Sequence, residues 1–247
     1  FMKRLLAAGS GDIYQICKVF RADEQGRYHN PEFTLLEWYR VGFDMAAMLA
    51  DVARLLREVL GARVQADTIT LTYRQAFLDT VGIDPVTADA ATLQRVFIER
   101  SGQSVQGIGA DDWPDLLFGE LVQPGLPRDR LVFVTHFPAT QASLAKLDPH
   151  DPQCALRFEA FFNGVELANG FEELTDPIEQ RWRIDAEQVR RKALGLPVLP
   201  VDEHFLAALE AGLPPCSGVA LGVDRLVMLS LGLSAISEAV SFDVTRC

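Results

Sequence analysis

Apolar and polar positions alternate in two stretches near the start of the chain. Residues 13–20 and 33–40 are rich in β-branched and aromatic side chains, and the polar stretch 21–31, with Gly26 in its middle, separates them. This pattern predicts two β-strands joined by a long loop.

Helical patterns fill much of the next hundred residues. A long one runs from residue 45 to Leu60, and shorter ones follow between residues 72 and 123. They are preceded by residues that commonly cap helices: Asp44, Thr72, Asp89 and Asp111. The apolar run 131–135 then predicts a buried strand.

The dipeptide Asn163-Gly164 lies between two further apolar runs, 156–162 and 165–168. Asn-Gly is the preferred sequence for the two-residue type I′ turn of a β-hairpin. In an unbroken ladder beyond such a turn, Ala160 faces Leu167.

The same hairpin carries two carboxylates on a largely apolar background. Because side chains alternate along a strand, Glu159 and Glu166 should emerge on one face as diagonal neighbours, about 7–8 Å apart at the backbone. Two such charges repel unless a cation lies between them, and magnesium that also binds nucleotide phosphates suits this geometry. The alternative is an ordinary solvated surface.

The last third of the chain adds helices and a strand. Asp176 and Asp202 cap two predicted helices, and a strand of small residues, 218–222, runs into a helix over 224–231. Strands dispersed among helices, with hairpins, predict an α+β domain built on an antiparallel sheet flanked by helices.

The second predicted strand has a mixed face. By the period of two, Phe33, Leu35, Glu37 and Tyr39 share that face. An aromatic ring, a carboxylate and a phenol together are more typical of a pocket floor than of a core.

Several cations stand at positions that suit phosphate groups. The long loop contributes Arg21, Arg27 and His29, which can bind phosphate by charge and by forked hydrogen bonds. Arg225 stands at the start of a predicted helix, where the helix dipole disfavours a cation, so its position indicates a negative ligand. The alternatives are an exposed basic loop and an Arg225 salt bridge at a tight strand-to-helix crossing.

Composition narrows the class of protein. The 247 residues carry a net charge of −11, which argues against stable tRNA binding because proteins that grip long nucleic acids usually present a basic surface. No apolar run approaches the ~18 residues of a membrane span, and nothing resembles a signal peptide. The four cysteines are scattered without metal-binding spacing, which is typical of reduced thiols in a cytoplasmic protein.

Three segments resemble class II aminoacyl-tRNA synthetases, and lysyl-tRNA synthetases in particular, and they follow one another along the chain in the order that these enzymes have. Phe20-Arg21 with residues 29–34 resembles motif 2, residues 222–225 resemble motif 3, and residues 169–174 resemble the lysine-pocket segment. The resemblance implies the catalytic core of that class over residues 1–247, and activation of an amino acid with ATP.

Further segments resemble a related family, the elongation factor P–(R)-β-lysine ligases: residues 2–9, 26–30, 136–139, 141–145 and 216–222. Ala220 stands where lysyl-tRNA synthetases usually have glycine, and its extra methyl group would reshape the amino-acid pocket towards a β-amino acid. This resemblance implies that (R)-β-lysine is activated as an adenylate and transferred to a lysine of elongation factor P.

The resemblance also assigns roles to single residues. Arg21 and Arg225 would be the catalytic cations, and Phe33 and Arg225 would sandwich the adenine ring. The ATP-binding set would be Arg21, Asp23 or Glu24, His29, Asn30, Phe33, Glu159, Glu166, Gly222 and Arg225, with magnesium on Glu159 and Glu166. The lysine-binding set would be Glu37, Tyr39, Asn169, Phe171, Glu173 and Ala220, with Glu173 pairing the side-chain ammonium.

Two features depart from the family pattern. Where the family has Arg-Asn-Glu, this chain has Arg21-Ala22-Asp23, so the carboxylate beside the nucleotide is shorter or is supplied by Glu24. Motif 1, which builds the family's homodimer interface, would lie before Phe1. Two alternatives stay open: a lysyl-tRNA synthetase fragment that charges tRNA, and a non-catalytic synthetase paralogue.

Overall fold

A computed structural model describes residues 1–22, 24–105 and 107–246. Within these ranges seven strands form one sheet: β1 Ile13–Phe20, β2 Glu32–Val41, β3 Ile69–Thr72, β4 Leu131–Pro138, β5 Cys154–Phe162, β6 Val165–Glu172 and β7 Cys216–Gly222. The strand order across the sheet is β1-β2-β7-β6-β5-β4-β3. The α+β prediction is therefore confirmed.

Helices pack against one face of this sheet, against part of the other face and around its ends. They are α1 Met2–Ala7, α2 Met45–Leu60, α3 Tyr73–Val81, α4 Ala90–Ser101, α5 Trp113–Leu117, α6 Gln123–Gly125, α7 Pro177–Ala193, α8 Glu203–Gly212 and α9 Val223–Leu231, with a π-helical turn at Phe118–Val122. None of the helices in the described ranges is both long and apolar enough to cross a membrane.

The sheet is antiparallel except at one edge. β3 pairs parallel to β4, whereas every other neighbouring pair in the described sheet is antiparallel. Strand β3 was not predicted from the sequence, because it has four residues and ends at Thr72, where only a helix cap was expected. The helices α3 to α6 make the crossover that a parallel connection needs.

Most of the predicted helix caps are present. The side chains of three capping residues accept hydrogen bonds from backbone N–H groups at the helix starts: Asp44 from Ala47, Thr72 from Gln75 and Asp89 from Thr92. The prediction for Asp111 is wrong. That residue lies inside a 3-10 turn, Ala110–Asp112, and no side-chain hydrogen bond caps α5.

The β5–β6 hairpin has the predicted turn but a different register. Asn163 and Gly164 both have positive φ angles, 54° and 78°, as a type I′ turn requires. A β-bulge follows, so that Ala160 pairs with Ala168 and Leu167 is the extra residue. The expected Ala160–Leu167 pair is therefore wrong, and Leu167 packs into the core instead.

Two hydrophobic clusters lie on opposite faces of β4. Leu131 and Phe133 pack into a cluster with α2, whereas Val132 and Val134 pack into an aromatic cluster with α3 and α5. Burial on both faces explains the unbroken apolar run that the sequence shows there. The aromatic cluster ends at β5, and beyond it the same face of the sheet stays open.

The hairpin turn gives a stability test. Gly164→Ala should lower the free energy of unfolding by about 1–2 kcal/mol, because a side chain disfavours the left-handed φ of this position. A Cβ there would meet Gln123 O at 3.6 Å, an ordinary contact, so the effect is conformational. Gly119→Ala is the control, since it lies in a helical turn with nothing within 4 Å of the new Cβ. Urea unfolding in which both variants lose equal stability would contradict the expectation.

Candidate active site

A row of side chains from four strands forms the floor of the candidate site. The strand register sets Glu37 opposite Ala220, Ala220 opposite Asn169, and Asn169 opposite Glu159. Directly opposed residues point to the same face of a sheet. Four residues that the resemblance places around the substrates or the metal therefore lie side by side.

A second row lies two residues further along the strands. Tyr39 pairs with Gly218, Gly218 with Phe171, and Phe171 with Arg157. A Cβ on Gly218 would lie 2.5 Å from Oε1 of Glu173 and would overlap the Tyr39 ring. Glycine at this position therefore lets a phenol and a carboxylate reach the floor of the site.

Two adjoining cavities open above these rows. The larger, about 500 Å³, is bounded by Arg21, Glu24, His29, Asn30, Phe33, Glu159, Glu166, Gly222 and Arg225, among others. The smaller, about 370 Å³, is bounded by Glu37, Tyr39, Glu173 and Gly218, among others. Both cavities are lined by Asn169, Phe171 and Ala220, so a ligand in one can touch a ligand in the other.

Glu159 and Glu166 face the larger cavity together. The Glu159 side chain is 12% exposed and the Glu166 side chain 34%, so the solvated-surface alternative does not describe Glu159. Burial, and next the charge of Glu166, raise the pKa of the Glu159 carboxyl above its ordinary value. The two like charges converge on the larger cavity, as predicted. The β-bulge alters only the register in which β5 and β6 pair beyond Phe161.

Arg157 compensates this charge, and the sequence analysis missed it. Its Nη2 lies 2.6 Å from Oε1 of Glu159, and its Nε donates to Oδ1 of Asn169 at 3.3 Å. Its guanidinium carbon lies 4.5 Å from the centroid of the Phe137 ring. The signal was available, because Arg157 stands two residues before Glu159 and shares its face by the period of two.

Arg225 is held at the other side of the cavity. Its Nη1 donates to the backbone carbonyl of Glu166 at 3.0 Å and lies 3.3 Å from the carboxylate Oε2, so the salt bridge of the alternative interpretation is present. Its Nη2 lies 2.6 Å from Nε2 of His29. Burial, and next this guanidinium, lower the pKa of His29, so its Nε2 can accept from Arg225.

The motif 2 residues surround the mouth of the same cavity. Arg21 forms an exposed ion pair with Glu24 at 3.1 Å, and its guanidinium carbon lies 5.7 Å from the centroid of the Phe33 ring. Asn30 is buried, and its side chain donates to the Glu32 carbonyl at 2.6 Å.

Two further outcomes concern this segment. The Oδ1 atom of Asn30 accepts a hydrogen bond from the backbone N–H of Val244 at 3.0 Å, so both ends of its side-chain amide are bound within the protein. A contact between Asn30 and adenine would therefore be made by its backbone. Asp23, the other candidate carboxylate for the nucleotide, lies outside the described residues.

The smaller cavity contains a buried carboxylate with an ammonium already beside it. Oε2 of Glu173 lies 2.6 Å from Nζ of Lys3, a residue of α1 that the sequence analysis did not single out. Burial raises the pKa of Glu173 to about 7, against the opposing effect of Lys3. Nearby, the phenolic O–H of Tyr39 donates a hydrogen bond to Oε1 of Glu37.

Magnesium has two candidate ligands here. The described ranges contain no group of three or more metal-ligating side chains. Magnesium is commonly bound through one or two carboxylates, with substrate phosphates and water completing its shell. Glu159, which is mostly buried, and Glu166, which is half-buried, have like charges that oppose each other, and the two fit that pattern.

The chain belongs to the class II tRNA synthetase family of the D, K and N type, whose family model matches residues 1–246. Several similar proteins within this class share one more specific name. It is 51% identical to an elongation factor P–(R)-β-lysine ligase from Edwardsiella ictaluri, with 99% of this chain and 75% of the relative covered. Ligases of the same name from Proteus mirabilis and Klebsiella pneumoniae are 51% and 50% identical, with the same coverage.

The ion pair between Arg157 and Glu159 gives a test of the site's electrostatics. Arg157→Met should lower the free energy of unfolding at pH 8 by about 3 kcal/mol, because it leaves a buried carboxylate without its cation. The loss should be smaller at pH 5. A carboxyl whose pKa is raised by folding is protonated there, and it destabilises the fold only as rising pH ionises it.

The matched control is the double variant Arg157→Met/Glu159→Gln, which removes both charges and should recover part of the stability. Urea unfolding of the three proteins at both pH values measures this. An equal loss at pH 5 and pH 8, or no recovery in the double variant, contradicts the interpretation.

Proposed function

We propose that this protein is an ATP-dependent ligase that activates (R)-β-lysine as an aminoacyl-adenylate and transfers it to a lysine ε-amine of elongation factor P. The observation that carries the proposal is the junction of the two cavities at Asn169, Phe171 and Ala220. It would bring the carboxylate of an amino acid to the α-phosphate of ATP. Residues 1–247 would form one catalytic domain.

In the first step the amino-acid carboxylate attacks the α-phosphorus and the bond to pyrophosphate breaks. Arg21 neutralises charge on the α-phosphate, and Arg225 stacks on the adenine ring opposite Phe33. Arg21 can leave its surface pair with Glu24 at little energetic cost, since exposed ion pairs are weak. His29, placed against Arg225, contacts the outer phosphates.

Glu159 and Glu166 would hold magnesium, which neutralises phosphate charge when it is bound. Arg157 has a separate task. By pairing with Glu159 it favours the charged form of that carboxylate against the effect of burial and holds it at the cavity, and it orients Asn169 at the junction with the amino-acid pocket.

The smaller cavity would hold the amino acid. Glu173 accepts a hydrogen bond from one of its ammonium groups, while Glu37 and Tyr39 line the same cavity and form a polar pair. Ala220 lies between Glu37 and Asn169 in the register of the sheet, where its methyl group limits the space beside the substrate backbone.

In the second step the neutral ε-amine of the acceptor lysine attacks the carbonyl carbon of the adenylate. The carbonyl–oxygen bond to AMP breaks, an amide forms, and the amine loses a proton. The described residues need supply no covalent nucleophile, because the adenylate is already activated.

The competing functions have less support. The charge of −11 is unfavourable for tRNA binding, and the relatives in the previous section are named as ligases of elongation factor P. A non-catalytic paralogue would not need the paired cations and carboxylates that line the larger cavity. We also propose that the protein acts in the cytoplasm, where reduced cysteines such as Cys17, Cys154 and Cys216 are typical.

We further propose that the protein forms a homodimer. The edge strand β1 exposes Tyr14, Ile16 and Phe20, whose side chains are 73%, 61% and 76% accessible. A long edge strand with exposed apolar residues is unusual in a monomer, because it can pair with another chain.

The activity has a direct test. The unmodified protein should catalyse pyrophosphate exchange into ATP only when (R)-β-lysine or lysine is present, and it should then add one aminoacyl unit to purified elongation factor P, seen as a mass shift. Arg21→Met should reduce exchange by roughly 100-fold, the scale typical for loss of one charge-stabilising group. Exchange that does not depend on the amino acid, or acylation of tRNA instead of the protein, would overturn the proposal.

The dimer is tested by light scattering. We expect a mass of twice 27.3 kDa for the unmodified chain and a shift towards the monomer in Ile16→Asp. Ile178→Asp is the matched control, because Ile178 is the same residue type on α7 and is even more exposed, 81% accessible. A monomeric unmodified protein, or equal behaviour of the two variants, argues against this interface.

A further inference from the structure

The side chain of Lys3 is mostly buried and lines the smaller cavity. The side chains of Lys3 and Glu173 are 13% and 2% exposed, and Nζ lies 2.6 Å from Oε2. The same nitrogen lies 5.0 Å from the centroid of the Phe171 ring and 5.9 Å from that of Phe205. Two aromatic faces and a carboxylate therefore surround it, which is a favourable environment for a cation.

The other oxygen of Glu173 has no such partner. Oε1 is buried, and no hydrogen-bond donor reaches it among the described residues. It lies on the side of β7 where the missing Cβ of Gly218 leaves room, and both residues line the cavity. A buried acceptor without a donor is costly, so this oxygen is suited to a donor that arrives with a ligand.

Lys3 is held in place by its neighbours. Met2 and Leu6 on either side of it are buried in a cluster with Leu206 and Leu209 of α8. The backbone of α1 is thus anchored, and the Lys3 side chain is directed at Glu173 from a fixed starting point. An ammonium fixed in this way can orient a carboxylate.

We infer that Lys3 is a positioning residue for the amino acid: it binds Oε2 of Glu173 so that Oε1 stays directed at the cavity and takes the substrate ammonium. This inference rests on the proposed function and deepens it. Glu173 would then bridge two ammonium groups, one from the protein and one from the substrate.

The charges around Glu173 agree with this arrangement. Lys3 from α1 lowers its pKa, whereas burial and the charge of Glu37 on β2 raise it, and the neutral groups Tyr39 and Cys216 stand close by. The balance leaves the pKa raised to about 7 with Lys3 in place. A second cation would complete the ionisation of Glu173, and removal of Lys3 would shift its titration to higher pH.

The experiment compares three variants by pyrophosphate exchange across pH 6 to 9: Lys3→Met, Lys3→Arg and Lys146→Met. Lys146 is the matched control, because it pairs with the adjacent Glu172 at 2.7 Å but is about half exposed. In Lys3→Met we expect the KM for (R)-β-lysine to rise about tenfold or more, the scale of one lost hydrogen bond to a charged group. The KM for ATP should change little.

The pH dependence separates positioning from a merely structural role. In the unmodified protein the KM for the amino acid should rise as the pH falls through about 7, because protonation removes the charge of Glu173. In Lys3→Met this rise should begin at a higher pH, and Lys3→Arg should restore most of the unmodified profile. Lys3→Gln, which keeps an N–H donor without the charge, is measured in the same way if Lys3→Met does not fold.

Each other outcome has a defined meaning. A lower KM in Lys3→Met would show that Lys3 competes with the substrate for Glu173 and would overturn the inference, as would an unchanged KM and pH profile. If the unmodified protein shows no exchange that depends on the amino acid, the proposed function itself fails, and the two failures are thereby distinguished.

Discussion

Three carboxylates of the site, on or next to β5 and β6, are partly or wholly removed from water, each has a cation as its partner, and this constraint links the fold to the site. A carboxylate that is taken out of water without a partner destabilises a protein by several kcal/mol. Three pairs meet the requirement: Glu159 with Arg157, Glu166 with Arg225, and Glu173 with Lys3. Their cations come from β5, α9 and α1, so segments far apart in the chain must dock before the site is electrostatically balanced.

The ion pairs leave carboxylate oxygens on the cavity side that can still accept hydrogen bonds. Each carboxylate has two oxygens, and the structure commits them unequally: Glu173 uses Oε2 and leaves Oε1 without a donor in the described part of the chain. The fixed cations therefore hold the carboxylates in position, and ligands complete their shells. Arg21 differs, since its exposed pair with Glu24 is weak enough to be exchanged for a phosphate.

Local signals in the sequence were sufficient to predict most of the helices and strands but not all of the contacts between them. The Asn163-Gly164 turn and the alternating face of β2 could be predicted, because both depend on neighbouring residues only. Arg157 could also have been found from its spacing to Glu159. Lys3 could not, because 170 positions separate it from Glu173 and no local pattern connects them. The short β3 was missed for a related reason, since its pairing partner is β4.

The bulge at Leu167 follows from the site residues themselves. Along an unbroken strand, residues of opposite parity point to opposite faces, so Glu166 and Asn169 could not both face the cavities. Both line the larger cavity, and therefore one residue between them must be extra. The structure places that extra residue at Leu167, which turns Asn169 and Phe171 towards Glu159. A register that kept Ala160 opposite Leu167 would satisfy the turn but would direct Asn169 into the core, where its amide would be buried without a partner.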